Sequence, residues 1–344
     1  MLSVTGRTGA GLGMGAKRAW AIGIVVGAIL PFFSALAAEP ELTPFRVGES
    51  APANTYLAIW MADEAGFYAK EGLSVESVPM AGGSLTASEL EAGNIQLMHI
   101  GMSTVIRANA AGSDLKIVGS LSNVIRFTFF AAPGIENADS LRGGVIGISS
   151  TGSESDATAN LALERLGLTR EDIRIEEIGR DRLPALRNGA ISATMLGEPE
   201  RSEAFAEGLT PLIDLYAEHI PWLFSGLVVD GSYLATHRDT VKRFLRATIE
   251  GNYLAINDPM RAREVLARKL GLSDADVIKA SYSNFRDETP ANAEIDLLAA
   301  QNVLASVGGA GIANGVDEYI DTSIHSELMD EGLLAAEARG QVAQ

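Results

Sequence analysis

The run Ser149-Ser150-Thr151-Gly152-Ser153 sets five small polar residues between a predicted strand and a predicted helix. Free backbone N–H groups at a helix start, with hydroxyls beside them, suit a negatively charged or strongly polar group. Helix capping accounts for one or two of the five, and Gly152 permits close approach of a ligand to the backbone. Gly82-Gly83-Ser84 and Gly101-Met102-Ser103 hold the same kind of position, each between a predicted strand and a predicted helix. Ser50, Asn54, Thr55 and Tyr56 follow the first predicted strand. Tyr56 suits stacking on a flat ligand or enclosing an alkyl chain, and Trp60, one turn further, suits the core. Groups of these types hold a molecule rather than attack it.

Glu198 follows Met195-Leu196-Gly197 and precedes Pro199, at the carboxyl end of another predicted strand. A buried carboxylate there would need a partner, which a ligand amine could supply. A glutamate favoured by the dipole at a helix start explains it equally well. The expected ligand contacts are therefore Ser50, Asn54, Thr55, Tyr56, Gly82, Gly83, Ser84, Gly101, Met102, Ser103, Ser150, Thr151, Gly152, Ser153 and Glu198. Arg126 reads either as a partner for an anion or as a solvated strand-edge residue. Arg180-Asp181-Arg182 reads as a charged surface loop, with reach to the ligand as the lesser alternative.

Catalytic patterns are lacking. His99, His219, His237 and His325 lack metal-ligand spacing. His99 falls in a predicted buried strand and reads as a satisfied core group. There is no nucleophile elbow, no GxGxxG and no Walker-type run. The chain has no cysteine, which excludes disulfides, thiolate metal sites and thiol nucleophiles. Neither a catalytic residue, nor a metal, nor a cofactor is expected.

The elements that would position the polar groups alternate. Phe45–Glu49 reads as a strand, Tyr56–Glu71 as a helix, Val75–Pro79 as a strand, and Gln96–Gly101 as a strand after a second helix. Thr128–Ala132, Val145–Ile148, Ile173–Ile178 and Ala193–Leu196 continue as strands, with helices at Glu154–Leu166 and Arg182–Asn188. Such alternation predicts an α/β fold with mostly parallel sheets flanked by helices. Ligands of such sheets bind outside the carboxyl ends of the strands, where the glycines and hydroxyls cluster.

Glu76–Gly101 and Glu176–Gly197 share one order: strand, loop, helix, glycine, strand. Their offset is about 100 residues, which points to two similar lobes facing a cleft rather than a short solenoid repeat. After Asp230 the pattern turns helical, over Arg238–Asn257, Met260–Leu270, Ser273–Ser281 and Glu294–Val307. The expected division is a first lobe of 38–124 with 228–344, and a second lobe of 125–227. Crossings near Asn123–Phe127 and Ser225–Val229 would serve as hinges.

Residues 1–37 read as a secretory signal: Lys17-Arg18, an apolar core from Trp20 to Phe33, then Ala35-Leu36-Ala37 before a cut at Ala38. The core is short for a membrane span of about 20 residues, so a periplasmic location is expected. The whole chain carries a net charge of −17. Residues 1–37 include Arg7, Lys17 and Arg18 and no acidic side chain, so their removal leaves 24 basic against 44 acidic groups, a net −20. That balance opposes nucleic-acid binding.

Trp60-Met61-Ala62, Gly66-Phe67-Tyr68, Glu71-Gly72-Leu73, Gly82-Gly83-Ser84, Leu90-Glu91-Ala92-Gly93, Leu141-Arg142-Gly143-Gly144 and Leu186-Arg187-Asn188-Gly189 occur in that order. As a set they resemble the nitrate/sulfonate/taurine-type substrate-binding proteins of ABC importers, whose relatives include binders of thiamine-pyrimidine precursors. The resemblance implies a two-lobe periplasmic-binding-protein fold, type II-like, with the ligand cleft between lobes. It implies a small polar organic ligand, delivery to an inner-membrane permease, a monomer, and no enzymatic chemistry. Some relatives make the thiamine pyrimidine with a histidine and a pyridoxal cofactor, which gives an enzymatic alternative; a sensor or chemoreceptor partner is a third.

Overall fold

The computed structural model describes residues 41–51, 53–80, 82–307 and 315–333. The expected signal segment and the chain after Leu333 lie outside these residues.

Phe45 and Val47, two residues apart in β1 (Thr43–Glu49), are fully buried on one face of the strand, and Gly48 on the other face lies against Thr86 and Ile95. The other strands are β2 (Leu73–Pro79), β3 (Leu97–Ile100), β4 (Leu115–Val124), β5 (Thr128–Ala131), β6 (Val145–Ile148), β7 (Arg174–Glu177), β8 (Ala193–Leu196), β9 (Thr210–Ile213) and β10 (Pro221–Asp230). They form two sheets, ordered β2-β1-β3-β10-β4 and β7-β6-β8-β5-β9. In the first, β2, β1 and β3 are parallel, and β10 runs against both β3 and β4. In the second, β7, β6 and β8 are parallel, and β5 runs against both β8 and β9. The two sheets thus repeat one pattern, three parallel strands followed by a reversed strand, and each with its helices forms a lobe.

The chain passes between sheets over 125–127, after β4, and again over 214–220, before β10. The return lies upstream of the expected Ser225–Val229, because β10 pairs with β4 from Pro221 onwards.

The helices are α1 (Leu57–Glu64), α2 (Phe67–Lys70), α3 (Gly83–Glu91), α4 (Met102–Ala110), α5 (Glu154–Arg165), α6 (Arg182–Arg187), α7 (Glu200–Ala206), α8 (Gly231–Asn257), α9 (Pro259–Leu270), α10 (Ala275–Glu288), α11 (Leu297–Val307) and α12 (Ser323–Asp330). The single helix expected over Tyr56–Glu71 is broken at Gly66, whose φ of 74° belongs to the left-handed region. Helix α8 begins two turns before the expected Arg238. The Asp230 side chain accepts from the N–H groups of Ser232 and Tyr233 and satisfies two of its orphan donors. Non-helical angles at His237 interrupt the apolar period there. Helix α10 runs past the expected Ser281 to Glu288, and that extra length reaches the site.

One core lies between the first sheet and α1 and α8. Phe244 stacks on Phe45 at 4.7 Å and on Tyr68 at 5.1 Å. Gly251 lets α1 lie close, since a Cβ there would stand 2.5 Å from the Ala58 carbonyl oxygen. Such packing fixes β1 and the loop that follows it.

Candidate functional site

All six parallel strands end on one cavity of about 120 Å³. The first sheet reaches it through Ser50 after β1, Gly82 after β2, and Ile100 and Gly101 at the end of β3. The second reaches it through Ser149 after β6, Gly179 and Arg180 after β7, and Gly197 and Glu198 after β8. Parallel strands sharing a direction present their carboxyl ends together, and the two sheets turn those ends toward each other.

Nine of the expected contacts line this cavity: Ser50, Asn54, Thr55, Tyr56, Gly82, Gly83, Gly101, Ser153 and Glu198. Tyr56 is buried, and its hydroxyl is engaged: it accepts from the Ser50 N–H at 2.8 Å and donates to the His99 carbonyl oxygen at 3.0 Å. It therefore offers its ring face or edge to a ligand more readily than its hydroxyl. Trp60 stacks behind it, buried, with its indole donating to Glu49.

Ser84, Met102, Ser103, Ser150, Thr151 and Gly152 do not line the cavity. Met102 turns into the core, fully buried. The Ser103 N–H donates to Glu154. Ser84 and Ser150 meet each other near the rim, hydroxyl to hydroxyl at 3.4 Å. Thr151 gives both its N–H and its hydroxyl to Glu177. The Gly152 N–H donates to buried Asp156 at 2.7 Å. Within the same loop Ser149, Ser153 and Ser155 bond to one another, at 2.9 to 3.0 Å. The hydroxyls that look available in sequence are largely satisfied by the loop itself.

Charged and aromatic groups complete the wall. Arg126, 2% exposed, gives its guanidinium N–H groups to Ser122 Oγ, Asn284 O and Oδ1, Thr289 Oγ1 and Leu121 O. Every one of these acceptors is neutral. Burial pushes the Arg126 guanidinium down to about 10, against the field of Glu288. Arg182 is also buried; it lies 3.7 Å from Glu200 and over the Phe127 ring, and its Nε has no hydrogen-bond partner among the described residues. Arg180 donates from Nη2 to the Glu49 carbonyl at 2.8 Å, and its buried Nε also lacks a partner among the described residues. The Thr104 hydroxyl is a third unpartnered buried group on the wall. Such groups cost free energy unless something bonds to them.

Three carboxylates balance these cations. Glu154 accepts from the Ser103 N–H and the Trp222 indole, and burial pushes it up to about 7. Glu198 accepts from Arg201 and Ser281, each at 3.3 Å, and is raised by burial. A cation of its own chain thus already stands beside Glu198. Glu200, beside Arg182, is raised by burial too. His99 bonds through Nε2 to Ser225 Oγ at 2.5 Å and meets Tyr56 edge-on. Burial, and then Arg126, push the imidazole down to about 3, so it is neutral near pH 7.

The sequence reading left Arg180 and Arg182 on the surface. The signal was there: both lie in the short stretch from the end of parallel strand β7 to the first residue of α6, as Glu198 lies between β8 and α7. Ser281 and Asn284 carried no signal, because a polar residue near the end of a distant helix gives no hint of its partner. Asn284 Oδ1 accepts from both Asn54, at 2.8 Å, and Arg126.

A family model described as NMT1/THI5 like matches residues 54–262, well over half of the chain. The chain belongs to the NMT1/THI5-like family. Among curated relatives, this NMT1/THI5-like protein is 24% identical to the riboflavin-binding protein RibY of Chloroflexus aurantiacus, over 62% of this chain and 63% of RibY. Among solved structures it shares its fold with the periplasmic aliphatic sulphonate binding protein SsuA of Escherichia coli, at TM-score 0.62 and 24% identity, covering 80% of this chain and 96% of SsuA. The desulfurization enzyme DSZB has the same fold, at TM-score 0.61 and 15% identity, covering 84% and 99%. The fold therefore supports the two-lobe reading without deciding between binding and catalysis. No helix among the described residues is long and apolar enough to cross a membrane, and no cluster of His, Cys, Asp or Glu among them could hold a metal ion.

Proposed function

We propose that this protein is an extracytoplasmic solute-binding protein of an ABC importer. It takes up a small polar organic solute, sulfonate- or taurine-like or pyrimidine-like, and passes it to an inner-membrane permease. The observation that carries this reading is the meeting of six strand ends from both sheets on one cavity whose wall holds unpartnered Arg180 Nε, Arg182 Nε and Thr104 Oγ1. Polar and charged groups placed beside the aromatic rings of Tyr56, Phe127 and Phe224 suit the binding of a small polar molecule. An acidic group on the ligand would satisfy the two guanidinium donors, while Tyr56, Phe127 and Phe224 would enclose its carbon skeleton. The names of SsuA and RibY, a sulphonate binder and a riboflavin binder, agree with capture of a polar organic molecule. The proposed lobes are 41–124 with 221–333, and 128–213. Segments 125–127 and 214–220 are the hinge, and the protein works as an exported monomer.

Native mass spectrometry of the purified protein should show a co-purified solute. A thermal-shift panel of taurine, alkanesulfonates, nitrate, aminopyrimidines and riboflavin follows. A true ligand at about 100 times its dissociation constant adds roughly 2.7 kcal/mol of stability. A protein that no member of the panel stabilises, and that carries no solute, would defeat the reading.

The enzymatic alternative draws on one observation, that His99 lines the cavity, together with the shared fold of DSZB. Consumption of a sulfonate, sulfinate or pyrimidine precursor by the purified chain would move the assignment to catalysis. A sensor role would leave uptake intact on deletion of the protein while a cellular response is lost.

A further inference from the structure

Two glycines facing each other across the lobes are filled by side chains from the opposite side. Gly101 precedes α4 in the first lobe. A Cβ there would stand 2.1 Å from Cγ and Oε1 of Glu154, the first residue of α5 in the second lobe. Gly152 precedes α5, and a Cβ there would stand 2.4 Å from Cδ of Arg107 on α4. Each lobe therefore seats one long charged side chain in a gap that the other lobe leaves by lacking a Cβ.

The Glu154 contacts run entirely across the divide. Its Oε1 accepts from the Ser103 N–H at 2.8 Å, at the start of α4, and its Oε2 accepts from the Trp222 indole at 2.7 Å, in β10. Both donors belong to the first lobe. Glu154 is 8% exposed, and among the described residues no cation pairs with it. A buried carboxylate is tolerated when N–H groups meet its oxygens. With the lobes apart, water would have to replace both donors.

We propose that Glu154, seated at Gly101, and Arg107, seated on Gly152, are positioning residues that fix the closed placement of the two lobes over the cavity. The proposal rests on the solute-binding reading, in which the lobes open and close. Glu154 also forms part of the cavity wall, so its seating fixes where α5 and the Ser149–Ser153 loop stand against a bound solute. The backbone at Gly101, with φ −79° and ψ 157°, suits any residue. Alanine there disturbs the seat and not the local chain.

The chain has no cysteine, so two introduced thiols report lobe separation cleanly. Ser88→Cys on α3 and Glu164→Cys on α5 are both exposed sites, and spin labels on them give a distance distribution by double electron–electron resonance, with and without methanesulfonate as the probe. In the parent, the short-distance population should dominate in at least one condition. Glu154→Ala and Gly101→Ala should each lose most of that population, and Arg107→Ala part of it, with circular dichroism unchanged. The double variant Gly101→Ala/Glu154→Ala should lose no more than Glu154→Ala alone, because the clash and the seat are the same contact. Distributions equal to the parent's in both conditions overturn the interlock. If Glu154→Ala fails to fold, Glu154→Gln and Arg107→Ala are judged by the same criterion. A parent whose distances ignore methanesulfonate and the rest of the panel, while the variants still widen, would sink the solute reading and leave the interlock standing.

Discussion

The loop after β6, residues 149–153, and the loop after β7, residues 179–182, leave neighbouring strands of one sheet and approach one cavity. The first is rich in hydroxyls and N–H groups, the second in charge. In the folded chain their availability is reversed. The serines of the first loop bond to one another, and Thr151 and Gly152 are held by Glu177 and Asp156. The second loop brings Arg180 and Arg182 to the wall with Nε groups that bond to none of the described residues. Composition therefore misleads about which loop binds. What matters is the donor capacity left after a loop has folded on itself, and a loop that caps its own helix has little.

The strongest test of that contrast is Arg182→Met, which keeps much of the side-chain bulk and removes the charge. Losing one partner of a buried, hydrogen-bonded charge contact costs about 2–5 kcal/mol. Affinity for an acidic solute should therefore fall by roughly 30-fold or more, measured by calorimetry once mass spectrometry names the solute. If Arg182→Met binds as the parent does, the second loop is not the anchor. Arg182 is also paired with Glu200, so Glu200→Gln should leave far more affinity than Arg182→Met does.

Next in size is a pH effect from Glu154, the one ionisable group that the first loop delivers to the cavity. Burial raises this carboxyl from its ordinary 4.5 to about 7. Its contribution to stability is therefore complete below about pH 4.5 and is lost as pH rises through about 7. Between pH 5.5 and 8 the loss is on the order of 2 kcal/mol. His99 works in the opposite sense, since its lowered value removes stability as pH falls below about 6.5. The other charged groups near the start of α5 are Arg107 on α4, which lies against Gly152, and Asp156, which pairs with Arg170 beyond the end of α5. Glu198 and Glu200, also raised by burial, titrate in parent and variant alike. The melting temperature of the parent minus that of Glu154→Gln should thus decline from pH 5.5 to 8. A flat difference would mean that the carboxyl is solvated.

How much of this was legible in sequence depended on how far each residue's partners lie from it. Val145–Ile148 and Ala193–Leu196 were read with the strand limits they have, because a strand buried on both faces is a continuous apolar run bounded by glycine or polar residues. The facing of two lobes followed from the repeated strand-helix-strand order. Helix α10 was cut short at Ser281 because Ser281 and Asn284 break its apolar stripe, and they break it to bond Glu198, Asn54 and Arg126. Arg180 and Arg182 were set on the surface because arginine is almost never buried unpaired. At the wall Arg182 is buried beside Glu200 and Arg180 is half-buried against the Glu49 carbonyl, partners that lie far from both in sequence.

Arg180→Met should have a smaller effect than Arg182→Met, about 10-fold in affinity. Arg180 is half-buried and is partly engaged with the Glu49 carbonyl across the cleft, so part of its charge is solvated and screened already.

The smallest expected effect tests the first loop. Thr151→Val keeps the branched shape and removes the hydroxyl that bonds Glu177. The Thr151 side chain is exposed and does not reach the cavity. Glu177 keeps the Thr151 N–H, so the loss of stability should be at most about 1 kcal/mol. Affinity should stay within about two-fold of the parent, since no bond to the solute is removed. A ten-fold loss of affinity with unchanged stability would show that the loop releases its hydroxyls when the solute arrives. The contrast between the two loops would then end on binding, and the first loop would join the second as an anchor.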